Sequence, residues 1–452
     1  MHLWMDVMRD LEGVMADHER LFDAWAEGGV DGLVIGPLVF NQPKLLKGAK
    51  PEPSGHPPTM TYDPDSAVYK RLGVEPPPPP EPMPEKRKLL ERTLQAAKER
   101  GLTVMIFQAQ AGAGPAGPDA GYFGDVRAVA ARMVDTLEHY PMADGAIMDG
   151  PEWGYEIAPH HMNRRSYILD DLPEHVAPEC AKLGYDYGAL VVAKDRLCNL
   201  LHRLDPRRVR LHAGGGFLGG ASLLGNDPDL IAWFRFRVES LSAFLKGVAT
   251  YLRSEMSCPV RLGVGPRTAA FAPLAGYDFA ELATFVDILL PKHYFWHRGF
   301  DGLIGTVYRY VETLTEWNPA LTDGDALAVV EALFGLKLPG VQDRGDFESA
   351  LLPEFFERIV TQETRRALAV VDDSERIVPW VDAGRFPHDG DPMSARDLKL
   401  LLEASQSAGL TRFLYHHAGN LTAGEWTVMS ELCGKRWEPR RSQYAPPDRL
   451  VL

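Results

Sequence analysis

Short apolar, β-branched runs alternate along the chain with longer stretches in which apolar positions recur three and four residues apart. That rhythm predicts parallel strands joined by crossover helices. Eight strands are expected, at residues 2–6, 32–39, 103–108, 145–149, 260–264, 288–294, 377–382 and 413–417. Eight such strands with helices between them close into a (β/α)8 TIM barrel. A competing strand at residues 209–212 would push residues 2–6 out of the barrel. The helical pattern over residues 11–26 favours the first count, because it then becomes an ordinary crossover helix.

Helix-start signals agree with this layout. Ser394, followed by Asp397 and then Leu398, Leu401 and Leu402, reads as a capped helix with one apolar face, ended by Gly409. Thr422 and Glu425 make a second such start. Two long segments interrupt the rhythm, at about 41–84 after strand two and about 155–229 after strand four, and both would rise above the barrel mouth. The first contains the proline run Pro76 to Pro80, expected to be extended. The second holds a helix near residues 187–204 and the glycines Gly214, Gly215 and Gly216, which lack the spacing of a phosphate-binding loop and read as a turn. The expectation is one elaborated domain spanning residues 1–452.

Composition narrows the function classes. A chain that is 45% hydrophobic and 24% charged is built to fold around a core. A net charge of −14, with no basic run interleaved with aromatics, argues against nucleic acid as a partner. Cys180, Cys198, Cys258 and Cys433 form no CxxC pair, so buried free thiols are expected rather than zinc fingers or a disulfide framework. No stretch is apolar enough to span a bilayer, and the start lacks a signal-peptide pattern. The expectation is a soluble, cytoplasmic protein, with secretion of a longer parent as the alternative; oligomeric state is left open.

Barrel enzymes carry their reacting groups where strands end at the carboxyl face. Strand four ends in Asp149, with Glu152, Trp153 and Tyr155 close behind. An aromatic wall beside a carboxyl group favours its protonated form, as a general acid requires. Strand seven ends in Asp382, on the far side of the barrel. Two carboxyl groups flanking a bond are the equipment of glycosidic cleavage. Strand six delivers Lys292, His293, Tyr294 and Trp296 to the mouth, where rings can stack on sugar faces while polar groups bind hydroxyls. Trp153, Gln108, Arg267, His416 and His417 are further candidates for binding, although adjacent strand residues face opposite ways and only one of the two histidines can point inward. Asp287, at the start of strand six, is expected to be structural. His416, His417, His160 and His161 raise a metal reading, but no HxH or HExxH spacing supports it.

The segment from Asp144 to Asp149 with Glu152, the long helix starting near Trp233, and the run from Val286 to Tyr294 resemble glycoside-hydrolase-type TIM barrels, particularly poorly characterised bacterial glycosyl-hydrolase-like groups. The resemblance implies a general acid after strand four, where Glu152 stands, and a nucleophile ending strand seven, where this chain has Asp382 rather than Glu. Pro151 precedes Glu152 where the retaining pattern has Asn. An arrangement with Asp149 as nucleophile or base and Glu152 or another carboxylate as acid fits nearly as well. The resulting expectation is a glycosidase acting on carbohydrate without metal or organic cofactor. A metal-dependent hydrolase using His293, one of His416 and His417, and a carboxylate is one alternative, and a non-catalytic carbohydrate-binding barrel is the other.

Overall fold

The computed structural model describes residues 1–8, 10–41, 58–109, 125–149, 151–158, 167–296, 298–299, 301–385, 388, 390–440, 442 and 444–448. Its central sheet contains β1 (His2–Asp6), β2 (Val30–Ile35), β3 (Thr103–Ala109), β4 (Gly145–Asp149), β5 (Arg261–Val264), β6 (Ile288–Leu289 and Lys292–His293), β7 (Trp380–Asp382) and β8 (Arg412–His416). Every neighbouring pair is parallel, in chain order from β1 to β6, and β8 lies between β1 and β7. Pro291 lies in the gap between the two parts of β6 and has no amide hydrogen to bond. On one side of β6, the amides of Leu290 and Lys292 donate to Val264 and Pro266. On the other, Val378 and Trp380 donate to Leu289 and Pro291. The two sides of β6 thus join β5 to β7 and close the ring, so the eight expected strands are all present, shifted by a few residues at their ends.

Residues 209–212 are not a strand; they finish the helix Pro206–His212, started by Pro206 and capped by Asp205, whose side chain accepts from the Arg207 amide. Between β2 and β3 the described chain includes the antiparallel pair Val39–Phe40 and Thr59–Met60 and the helices Ser66–Leu72 and Pro84–Glu99. Between β4 and β5 it is largely helical and ends in the 28-residue helix Pro228–Glu255. No helix among the described residues is long and apolar enough to cross a membrane.

Strand alternation sorts the core into two layers. Leu3, Met5, Leu33 and Ile35 point outward and pack with the surrounding helices. Trp4, Val34, Met105, Phe107, Ile147, Ile288, Leu290, Val378, Trp380 and Leu414 belong to a separate cluster that fills the barrel. Gly32 makes this filling possible, since a Cβ there would fall 2.4 Å from the Trp4 indole nitrogen. At the amino ends of the strands, Asp287 accepts from the Leu262 amide at 2.8 Å, the structural role expected for it.

Both expected capping boxes form. The Ser394 side chain accepts from the Asp397 amide, and the Thr422 side chain from that of Glu425. Glu425 is fully buried and also receives Tyr415 and Arg385, so the second cap ties its helix to β8. Replacing Thr422 by Ala should lower stability by about 1 kcal/mol, as loss of a cap does; urea unfolding measures it. The four cysteines are free, but only Cys180 is buried and Cys258 is exposed, so the expectation of four buried thiols is corrected. Cys258 lies in the irregular stretch between the helix Pro228–Glu255 and β5.

Candidate active site

Above the apolar filling, the same alternation turns polar side chains into the barrel mouth. Asp6 ends β1, Asp149 ends β4, Lys292 lies on β6, Asp382 ends β7 and His416 ends β8. Asp6 is buried and satisfied: its Oδ1 accepts from the Met8 amide at 2.6 Å and its Oδ2 from the Trp380 indole at 3.2 Å. The Nδ1 of His416 lies 2.5 Å from the same Oδ2. Lys292 Nζ sits 2.9 Å from Asp149 Oδ1. Gly265 leaves room here, since a Cβ on it would fall 2.9 Å from Asp149 Oδ1 and 3.1 Å from the Trp380 ring.

A continuous polar chain crosses the mouth. His416 Nε2 lies 3.7 Å from Asp382 Oδ2, which lies 3.0 Å from His388 Nδ1. His388 Nε2 is 3.9 Å from Asp301, and Asp301 pairs with Arg267 at 2.7 Å. Arg267 also grips both oxygens of Glu152. Asp382 and Glu152, 230 positions apart by number, therefore belong to one connected cluster through His388, Asp301 and Arg267. Aromatic rings wall this chain: Tyr294 stacks on Trp296 at 4.7 Å and packs against His388 at 4.8 Å, while Arg267 lies over the Tyr155 ring.

Burial and charge oppose one another throughout. Burial alone would raise the Asp382 carboxyl, but His388, His416 and the Gly384 amide reverse this and hold it below the usual carboxylate value. Burial disfavours charge on Arg267, yet Asp301 and Glu152 outweigh it and hold the guanidinium well above its ordinary value. His388 is pushed down by burial despite Asp382. Tyr294 is pushed well up, first by burial and then by the carboxylates of Asp382, Asp149, Asp301 and Asp6.

Of the residues expected from the sequence, Asp149, Glu152, Asp382, Lys292, Arg267, Tyr294, Trp296 and His416 come together. Four do not. His293 alternates with Lys292 and Tyr294, so it faces outward beside Phe295; burial lowers its pKa to about 3. Gln108 also faces outward and donates to Thr136 at 2.9 Å. Trp153 turns away from the mouth, its indole donating to the Arg237 carbonyl at 3.0 Å, with Arg237 over its ring. His417 is buried beside the cluster, its ring 5.1 Å from that of His416. His160 and His161 lie outside the described residues. Asp6, Asp301 and His388 were not among the expected residues. Asp6 closes β1 just as Asp149 closes β4, so the strand-end rule reaches it; Asp301 and His388 sit in loops after β6 and β7, where no periodicity marks them.

A cavity of about 1000 Å³ lies elsewhere, lined by Leu197, Leu201, Phe217, Ile231, Phe234 and Phe334 among others. Its walls are mainly apolar, and the strand-end carboxylates are not among them.

No family model matches the chain, and no curated protein does. Among solved structures, it aligns with the PgaB (BpsB) glycoside hydrolase domain from Bordetella bronchiseptica at 10% identity and TM-score 0.45, covering 95% of this chain and 99% of that one. A GH18 chitinase from Pseudoalteromonas aurantia aligns at 9% identity and TM-score 0.40, over 96% and 100% of the two chains. A class V chitinase from Pseudomonas fluorescens Pf-5 aligns at 11% identity and TM-score 0.42, over 95% and 99%. These likenesses assign no residue a role.

Proposed function

We propose that this protein is a glycoside hydrolase working at the carboxyl face of its barrel. The observation that carries the reading is the cluster of Asp149, Glu152 and Asp382 with Lys292, Arg267 and the Tyr294–Trp296 stack around one mouth. Glycosidic cleavage needs one carboxyl group to protonate the leaving oxygen and a second to attack carbon or activate water. Glu152 is the proton donor in this reading. A proton on Glu152 requires release of one Arg267 contact, and Asp301, already paired with Arg267, retains the freed guanidinium. Asp149 is favoured over Asp382 as nucleophile or base: its side chain keeps 21% exposure, whereas that of Asp382 keeps 1% and is engaged by the Gly384 amide. Lys292 holds the Asp149 carboxylate in place and offers a donor to sugar hydroxyls.

Incubation with aryl glycosides and with plant and bacterial polysaccharides, followed by chromatography of the products, tests the reading. Release of a sugar or shortened oligosaccharide is expected. Oligosaccharide binding by calorimetry with no product from any bound substrate would replace it with a carbohydrate-binding barrel.

A further inference from the structure

His388 and His416 have no task in the hydrolytic reading, and they meet Asp382, which that reading ranks behind Asp149. We propose that these three side chains constitute a binding site for a divalent transition-metal ion of the zinc class. One donor atom from each lies within 4.8 Å of the other two, and all three residues are buried. Zinc bonds to nitrogen and oxygen are about 2.0–2.2 Å long, which at tetrahedral angles separates donor atoms by roughly 3.4 Å. The spacings here, 3.0 Å from Asp382 Oδ2 to His388 Nδ1 and 3.7 Å to His416 Nε2, bracket that value.

Two independent features point the same way. Asp382 Oδ2 is completely enclosed, and the contacts described for it are with the two histidines, His388 at 3.0 Å and His416 at 3.7 Å, with no amide or hydroxyl among the described residues donating to it. An enclosed carboxylate oxygen is costly unless something compensates it. A cation placed between the donors would do so. Asp6 also holds His416 Nδ1 at 2.5 Å, which directs the other ring nitrogen toward Asp382. A carboxylate behind a ligating histidine is the usual outer support of a metal site, fixing tautomer and ring orientation. The Asp6 carboxylate is itself fixed by the Met8 amide and the Trp380 indole. Two imidazoles and one carboxylate suit zinc, cobalt or nickel, while magnesium and calcium favour oxygen-only sets. Three protein ligands leave a position for water or for a substrate hydroxyl, in the manner of open zinc sites.

The test is a binding measurement without carbohydrate, so its outcome is separate from that of the hydrolysis assay. Untagged full-length protein is stripped with chelator, dialysed and titrated with Zn²⁺ by calorimetry and with Co²⁺ by visible absorption. Binding of about one ion per chain is expected, with cobalt bands of a low-symmetry nitrogen–oxygen site and a metal-dependent rise in Tm. His388→Gln and His416→Gln should each weaken binding about 100-fold or more, and Asp6→Asn, which removes no ligand, by about 10–100-fold. His2→Gln, on an exposed histidine, should leave binding unchanged. Circular dichroism of the stripped variants separates lost ligation from lost fold, and the wild-type cobalt spectrum stands if a variant does not fold. Absence of a cobalt spectrum in the wild type, or affinity unaltered in folded His388→Gln and His416→Gln, would overturn the site.

Discussion

Glu152→Gln and Asp149→Asn should each lower turnover on a hydrolysed glycoside by about 10²–10⁴-fold, the range that positioned acid–base groups supply. Each change keeps the shape of its side chain, so substrate binding should suffer far less than kcat. The two variants should differ in what restores them. Loss of a proton donor matters least for substrates whose leaving group needs no proton, so Glu152→Gln should regain much of its rate on aryl glycosides with acidic phenols. Asp149→Asn should not, because attack on carbon or activation of water is still missing. Steady-state kinetics across a series of aryl glycosides checks both expectations. Wild-type turnover by Glu152→Gln on poor leaving groups would remove Glu152 from the donor role, and unchanged turnover by Asp149→Asn would transfer the second role to Asp382.

Arg309→Met should destabilise the fold by about 3–5 kcal/mol, because it strands a buried carboxylate. Glu156 has no exposed surface and follows the β4 loop that carries Glu152. Its Oε2 accepts from Arg309 Nε at 3.0 Å and its Oε1 from Thr306 at 2.8 Å, and Arg309 also reaches the Gly299 carbonyl. Burial opposes charge on Arg309, but Glu156 outweighs it and holds the guanidinium above its ordinary value. Once the arginine is gone, Thr306 is the one polar contact described here that remains to the carboxylate. Replacing both partners by apolar residues should cost less than Arg309→Met alone, since no charge is then left buried. Urea unfolding of the two single variants and the double variant measures this. A cost below about 1 kcal/mol for Arg309→Met would mean that Glu156 is neutralised by another route. The pair also bears on function. Tyr310 donates to the Tyr155 carbonyl and Tyr155 to Asp301, so the helix Leu303–Trp317 and the β4 loop hold Arg267 and Glu152 from behind.

Much of the site was legible because strand ends obey a simple rule. Asp149, Lys292, Asp382 and His416 follow from counting strands and reading what closes each one. The same counting misdirects where side-chain parity is uncertain by one residue. His293 and Gln108 lie in barrel strands as expected, but one step along a strand turns a side chain from the mouth to the helices. Trp153 fails for a different reason: it follows Pro151 and Glu152 in a segment beyond the end of β4, where alternation no longer governs direction, and the long helix Pro228–Glu255 offers its indole a carbonyl.

The amino-acid sequence by itself determined the barrel, its strand count, its capped helices and the identity of the groups delivered by strand ends. These depend on local periodicity and capping, which neighbouring residues specify among themselves. Only the tertiary structure decided that Asp6 stands behind His416, that Arg267 bridges Glu152 and Asp301, and that His388 meets Asp382. Such contacts join residues up to 410 positions apart, and they arise from ring closure and loop packing, which no short stretch of chain encodes.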